Sequence, residues 1–108
     1  MKLISKIIMT GAIALLATEV MALDKVKARE IFNSYGCASC HQPAEKLVGP
    51  SLKYIAKRYK GKKVSRELAT VIREGSEGQW GDLPHPAIAT LEPEEAELLA
   101  SWILAGAP

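Results

Sequence analysis

The chain has 108 residues, a formal net charge of +2 and 24% charged side chains. That length allows one small domain with a modest core, and so even a balance excludes a nucleic-acid binder or a strongly basic membrane binder. All the aromatic residues (Phe32, Tyr35, Tyr54, Tyr59, Trp80, Trp102) lie well inside the chain, as expected if they line or close a core.

Residues 1–22 read as a secretory signal peptide. Lys2 and Lys6 form the charged start, Ile7 to Ala17 the apolar stretch, and Val20-Met21-Ala22 the cleavage site. The apolar run is about half of what a bilayer-spanning helix needs, and Glu19 closes it. The expectation is export to the periplasm, cleavage to a 23–108 domain and no stable membrane insertion afterwards.

Ala28, Ile31, Phe32 and Tyr35 fall at i, i+3, i+4, i+7, the stripe of an amphipathic helix, with Asp24 as its candidate N-cap and Gly36 as its end. Next stands Cys37-Ala38-Ser39-Cys40-His41, the spacing of a c-type haem attachment site. Two thiols on one turn can add to the two vinyl groups of a haem while the next residue turns an imidazole onto the iron. Cys37 and Cys40 are thus the covalent anchors and His41 the proximal ligand. A zinc site normally needs four ligands, and the chain has two Cys and two His in all, the second His far downstream. A redox disulfide of this spacing belongs in a βαβ context, which the pattern does not offer.

After a loop from Gln42 to Gly49, the stripe Leu52, Ile55, Ala56, Tyr59 predicts a second, short helix ending at Gly61. Val64, Leu68, Val71 and Ile72 predict a third, capped by Ser65 and stopped by Gly75. Gly75 to Thr90 has no apolar period and reads as a long loop centred on Pro84-His85-Pro86. Pro93 at the first helical position, followed by Glu94 and Glu95, opens a last helix with the stripe Leu98, Leu99, Trp102, Ile103, ended by Gly106. Trp102 on this stripe reads as core. No segment alternates convincingly at period two, so the expectation is an all-α fold of four helices around one covalent haem, without a sheet or second domain.

With these motifs in order, the chain resembles the small class I cytochromes c of bacteria, the cytochrome c-551/c-552 type of periplasmic electron carrier. The resemblance rests on Tyr35 to His41, Val48-Gly49-Pro50, Ile72 to Gly81, Leu83-Pro84-His85-Pro86 and Leu99 to Leu104. It implies that the first and last helices cross, and that the carbonyl of Pro50 accepts the free ring N–H of His41, fixing its tautomer. A simple turn at Gly49-Pro50 is the alternative. It further implies that Trp80 donates to a haem propionate, against plain packing, and that Arg73 reaches a propionate, against a solvated arginine at a helix end.

One position departs from the family. The resemblance implies a Pro-Met-Pro loop with the methionine sulfur as second axial ligand, and here the middle residue is His85. Met1, Met9 and Met21 are the only methionines, all within the expected leader. Three states follow: His85 binds the iron, giving bis-histidine haem; the position stays open or water-bound; or a lysine takes it. Nitrogen in place of methionine predicts a lower potential. The reading of function is a one-electron carrier, not an enzyme, with an open-site small-ligand sensor or redox enzyme subunit as the alternative. Lys53, Lys57, Arg58, Lys60, Lys62, Lys63 and Arg66 run without an acidic residue among them, against a block of Glu74, Glu77, Asp82, Glu92, Glu94, Glu95 and Glu97. This dipolar pattern suits transient, electrostatically assisted redox partner proteins; two solvated helix faces are the plainer reading.

Overall fold

A computed structural model of the protein describes residues 2–108, with side chains from residue 15 onward. Helix α4, Pro93–Leu104, packs against all three other helices: α1, Lys2–Ser34; α2, Leu52–Arg58; and α3, Ser65–Glu74. Among the described residues there is no strand, only two isolated bridge pairs, His41 with Lys46 and Ser76 with His85. The all-α, four-helix expectation holds.

The core is built from the predicted stripes. Ala28, Ile31 and Phe32 of α1, Leu52 and Ile55 of α2, Ala69 and Ile72 of α3, and Ala96, Leu99, Ala100, Trp102 and Ile103 of α4 are buried, joined by Leu91 just before α4. Helices α1 and α4 meet through Phe32 and Trp102, whose ring centroids lie 5.7 Å apart at 58°, a tilted contact favourable for aromatic pairs. Trp102 is core, as expected, and its indole N–H donates to the carbonyl oxygen of Pro108 at 2.9 Å.

Two helix starts differ from the sequence reading. Helix α1 runs unbroken through Asp24, which therefore caps nothing. The residues around it (Ala17, Glu19, Met21, Ala22, Leu23, Lys25) are mostly good helix formers without a breaker, so helix continues where an N-cap was expected. The charged start and most of the apolar stretch of the expected leader lie outside the described side chains; from Leu15 to Lys27 every side chain is exposed. Helix α3 has Val64 at its N-cap, and Ser65, expected to cap, is its first helical residue. The working cap is Ser51, whose hydroxyl accepts from the Tyr54 N–H at 3.0 Å and starts α2.

The long loop is pinned at its neck. Ser76 and His85 exchange both backbone hydrogen bonds, at 3.2 and 2.8 Å, and the Ile88 N–H donates to the Ile72 carbonyl at 3.0 Å. The neck closes only because residue 75 is glycine: its φ is +82° with ψ 174°, and a Cβ there would lie 2.8 Å from the His85 carbonyl oxygen. Gly75→Ala is therefore expected to cost about 3 kcal/mol, read as a lowered urea midpoint of the haem-loaded protein. Gly61→Ala, also at positive φ but with nothing within 4 Å, should cost only about 1 kcal/mol.

Candidate haem site

The helices and the long loop enclose a cavity of about 730 Å³, within the range of small-molecule and cofactor sites. Phe32, Leu52, Ile55, Leu68, Ile72, Leu99 and Ile103 form apolar walls, and Cys37, Cys40, His41 and the loop residues Gln79 to Pro86 also line it.

The attachment motif is shaped by a single tight turn. Gly36, at φ +74°, ends the run of α1, and a 3-10 turn over Cys37–Ser39 follows. The Cys37 carbonyl accepts from the N–H groups of Cys40, at 3.2 Å, and His41, at 3.0 Å. This winding sets Cys37, Cys40 and His41 along one cavity wall. Both cysteines are half-buried, and they form no disulfide with each other. Burial pushes the Cys37 thiol above its ordinary value, only partly opposed by a local backbone hydrogen bond.

His41 is held by its surroundings. Its Nδ1 lies 2.7 Å from the Pro50 carbonyl oxygen; a carbonyl can only accept, so Nδ1 carries the proton and Nε2 keeps its lone pair. That carbonyl is positioned by the pinned loop before α2, where the Gly49 N–H donates to Cys40 O at 2.8 Å and the Leu52 N–H to Gln42 O at 3.0 Å. Gly49 also packs against the ring: a Cβ there would lie 2.7 Å from His41 Cε1.

His85 shows the same chemistry with a different partner. Its Nδ1 is 2.8 Å from the carbonyl oxygen of its neighbour Pro86, which again leaves Nε2 as the free nitrogen. Burial lowers its pKa from the ordinary 6.5; the Pro86 bond works the other way, and the nearby His41 adds to the lowering. The two imidazole centroids are 6.2 Å apart with ring planes tilted by 31°. Among the described residues no methionine lines the cavity, and its one lysine, Lys46, is bridge-paired with His41 on the same wall. Two thiols one turn apart, two imidazoles with free Nε2 atoms and apolar walls make a donor set that fits a covalently held haem.

Trp80 lines the cavity, half-buried. Its ring meets Tyr54 edge-on at 5.8 Å and Tyr59 at 6.2 Å, and the Arg58 guanidinium lies 4.0 Å from its centroid. Arg73 does not line the cavity; its Nε donates to the Leu91 carbonyl at 2.8 Å, tying α3 to the segment before α4. Sequence reasoning missed the contacts of Arg58 and Tyr54 with Trp80 and the closeness of Gly49 to His41. The i, i+4 spacing of Tyr54 and Arg58 was a usable signal for the first two, hidden within a run of basic residues.

The cytochrome c family model matches residues 26–107, starting just before Ala28, where burial of α1 begins. The chain belongs to the cytochrome c family. It is 36% identical over 96 residues to cytochrome c-551 of Pseudomonas aeruginosa, covering 85% of this chain and 91% of the relative. To cytochrome c-552 of Nitrosomonas europaea it is 44% identical over 69 residues, 63% of this chain and 67% of the relative. The crystal structure of wild-type Nitrosomonas europaea cytochrome c552 superposes with a TM-score of 0.68 at 37% identity, covering 72% of this chain and 98% of that one. The chain is thus a class I monohaem cytochrome c, with one covalently bound haem, and an electron carrier rather than an enzyme.

In this cytochrome Gly49 leaves the space that His41 occupies. Gly49→Ala should push the ring off the Pro50 carbonyl at an overpacking cost of roughly 1–3 kcal/mol. The ring N–H resonance of His41 in the haem-loaded protein, expected to shift and exchange faster with water, together with the thermal midpoint, checks this outcome.

Proposed function

We propose that this cytochrome is a periplasmic one-electron carrier whose iron is bound by His41 and His85, with a potential below that of histidine–methionine members of the family. The observation that carries the reading is the pair of tautomer-fixed imidazoles 6.2 Å apart, both lining a cavity that no described methionine lines. Two imidazoles on opposite sides of one metal ion, at the roughly 2 Å metal–nitrogen distance of such ligands, have centroids about 6 Å apart. The bond of each Nδ1 to a carbonyl raises the donor strength of the opposite nitrogen, which favours the ferric state.

A haem bound here supplies a one-electron iron couple, and everything else is the work of the chain. Cys37 and Cys40 would hold the group covalently, His41 and His85 would each offer Nε2, the nitrogen not bonded to a carbonyl, and the apolar walls would exclude water. Trp80 offers an indole N–H at the cavity edge for a propionate, whereas Arg73 is engaged at Leu91. Export through a cleaved 1–22 leader is supported by the full exposure of residues 15–27 and by a family match that begins only at residue 26. No helix among the described residues is long and apolar enough to cross a membrane.

Electron exchange needs brief encounters, and the charge distribution suits them. Lys53, Lys57, Arg58, Lys60, Lys62, Lys63 and Arg66 are all exposed. The acidic side chains near the start of α4 meet this group in one ion pair, Arg66 with Glu97 at 4.0 Å, too exposed to contribute much to stability. The basic surface around α2 is the face that would steer an acidic redox partner.

Electron paramagnetic resonance of the ferric mature protein should give a low-spin, bis-imidazole signal that turns high-spin in His85→Ala. His85→Met should raise the potential by on the order of a hundred millivolts, a fraction of the roughly 0.8 V that axial ligands span. A high-spin parent, unchanged by either variant, would assign the chain an open distal position instead. Electron transfer to an acidic partner should slow several-fold between about 10 mM and 150 mM salt, as the Debye length shrinks from roughly 30 to 8 Å; a salt-independent rate would remove steering from the account.

A further inference from the structure

The loop that carries His85 is fastened at two places. One is its neck, where Ser76 and His85 exchange backbone hydrogen bonds. The other involves Arg58, the last residue of α2: its guanidinium lies 4.0 Å from the Trp80 ring centroid, and its Nη1 donates to the Gln79 carbonyl at 3.0 Å. Arg58 thus grips two consecutive residues of the loop at once. A planar guanidinium serves both contacts together, stacking with one face while donating in its plane; a lysine ammonium cannot.

Between the two fastenings the chain has little else to restrain it. Gly78 and Gly81 both have positive φ, no Cβ placed on either would meet an atom within 4 Å, and Leu83 is 65% exposed. The His85 ring bonds only within its own segment, to Pro86. Its position in the cavity therefore depends on where the loop as a whole is held. His41, by contrast, is fixed by the Pro50 carbonyl on a separately pinned loop.

We infer that Arg58 is a positioning residue for the second axial ligand: by clasping Trp80 and Gln79 it holds the loop closed over the cavity and limits how often His85 leaves the iron. This inference rests on His85 being the ligand. Arg58 touches neither histidine; it acts through the loop, and opening requires its stacking contact and its hydrogen bond to break along with the edge contacts of Trp80 with Tyr54 and Tyr59. Loss of the two Arg58 contacts should make opening roughly three- to tenfold more frequent, given the modest strength of an exposed cation–π contact and a single hydrogen bond.

The test compares the haem-loaded parent with Arg58→Gln and Arg58→Lys by two measurements. Amide hydrogen exchange at Ser76 and His85 reports opening of the loop whether or not iron is bound by His85, with the Gly49 amide, bonded to the Cys40 carbonyl on the separately pinned loop, as a control. The rate at which added imidazole binds the ferric iron reports departure of His85. In Arg58→Gln both should rise three- to tenfold while Gly49 stays unchanged. Arg58→Lys should do nearly the same, because it keeps the charge and loses the fork. Unchanged exchange at Ser76 and His85 in a low-spin protein overturns the inference alone, as does faster exchange with unaltered imidazole binding. A high-spin parent overturns the assignment of His85 as ligand and this inference with it.

Discussion

A neutral imidazole has one nitrogen to give a metal, and the hydrogen bond made by the other decides which one. In this cytochrome both histidines commit Nδ1 to a backbone carbonyl, His41 to Pro50 and His85 to Pro86. The rest of the molecule follows from keeping those two carbonyls where they are. Pro50 stands at the end of a loop tied back to Cys40 and Gln42, and the next residue, Ser51, caps α2. The orientation of the proximal ring is thus continuous with the start of a helix that packs on α4.

The walls of the cavity and the core of the fold are largely the same residues. Phe32, Leu52, Ile55, Ile72, Leu99 and Ile103 are buried in the core and also line the cavity. A domain this small has limited surface to bury, so it cannot set aside one group of apolar residues for stability and another for its cofactor. Substitutions at these positions act on both, since a void opened in the wall is a void in the core. This sharing also fits an α4 that carries neither Cys nor His and yet touches every other helix: it is the surface against which the other three helices are set.

The parts of the structure that were legible in the sequence are those fixed by local chemistry. Cys37 to His41 declares itself because one turn must present two thiols and an imidazole, and the helices declare themselves through their buried stripes, from Ala28 to Ile103. Elements decided by distant partners were not legible. Arg73 and Arg58 look alike as charged residues at the ends of helices, and only packing sends one to the Leu91 carbonyl and the other onto Trp80. Asp24 has the chemistry of a cap, but capping also requires the chain to leave the helix there, and the neighbouring helix formers give it no reason to do so. Gly49 stood out only as part of the Val48-Gly49-Pro50 motif, with a simple turn as the alternative; its closeness to His41 arises from the fold of the loop around the ring.

Under the ligation proposed above, histidine at position 85, where the family resemblance implies methionine, is physically economical. A thioether needs nothing from its surroundings besides room, whereas an imidazole brought into an apolar cavity arrives with a second nitrogen whose N–H is costly to leave unsatisfied. Here the Pro86 carbonyl, part of the same loop motif, lies 2.8 Å from that nitrogen. Because proline has no N–H and a fixed φ, it tethers the backbone without competing for an acceptor, and its carbonyl remains available to the ring. The acceptor is therefore supplied by the backbone of the adjacent residue and needs no additional side chain. On that proposal, a loop of this form would pass from a sulfur to a nitrogen ligand by one substitution, with its neck and the contacts of Arg58 keeping the segment in place.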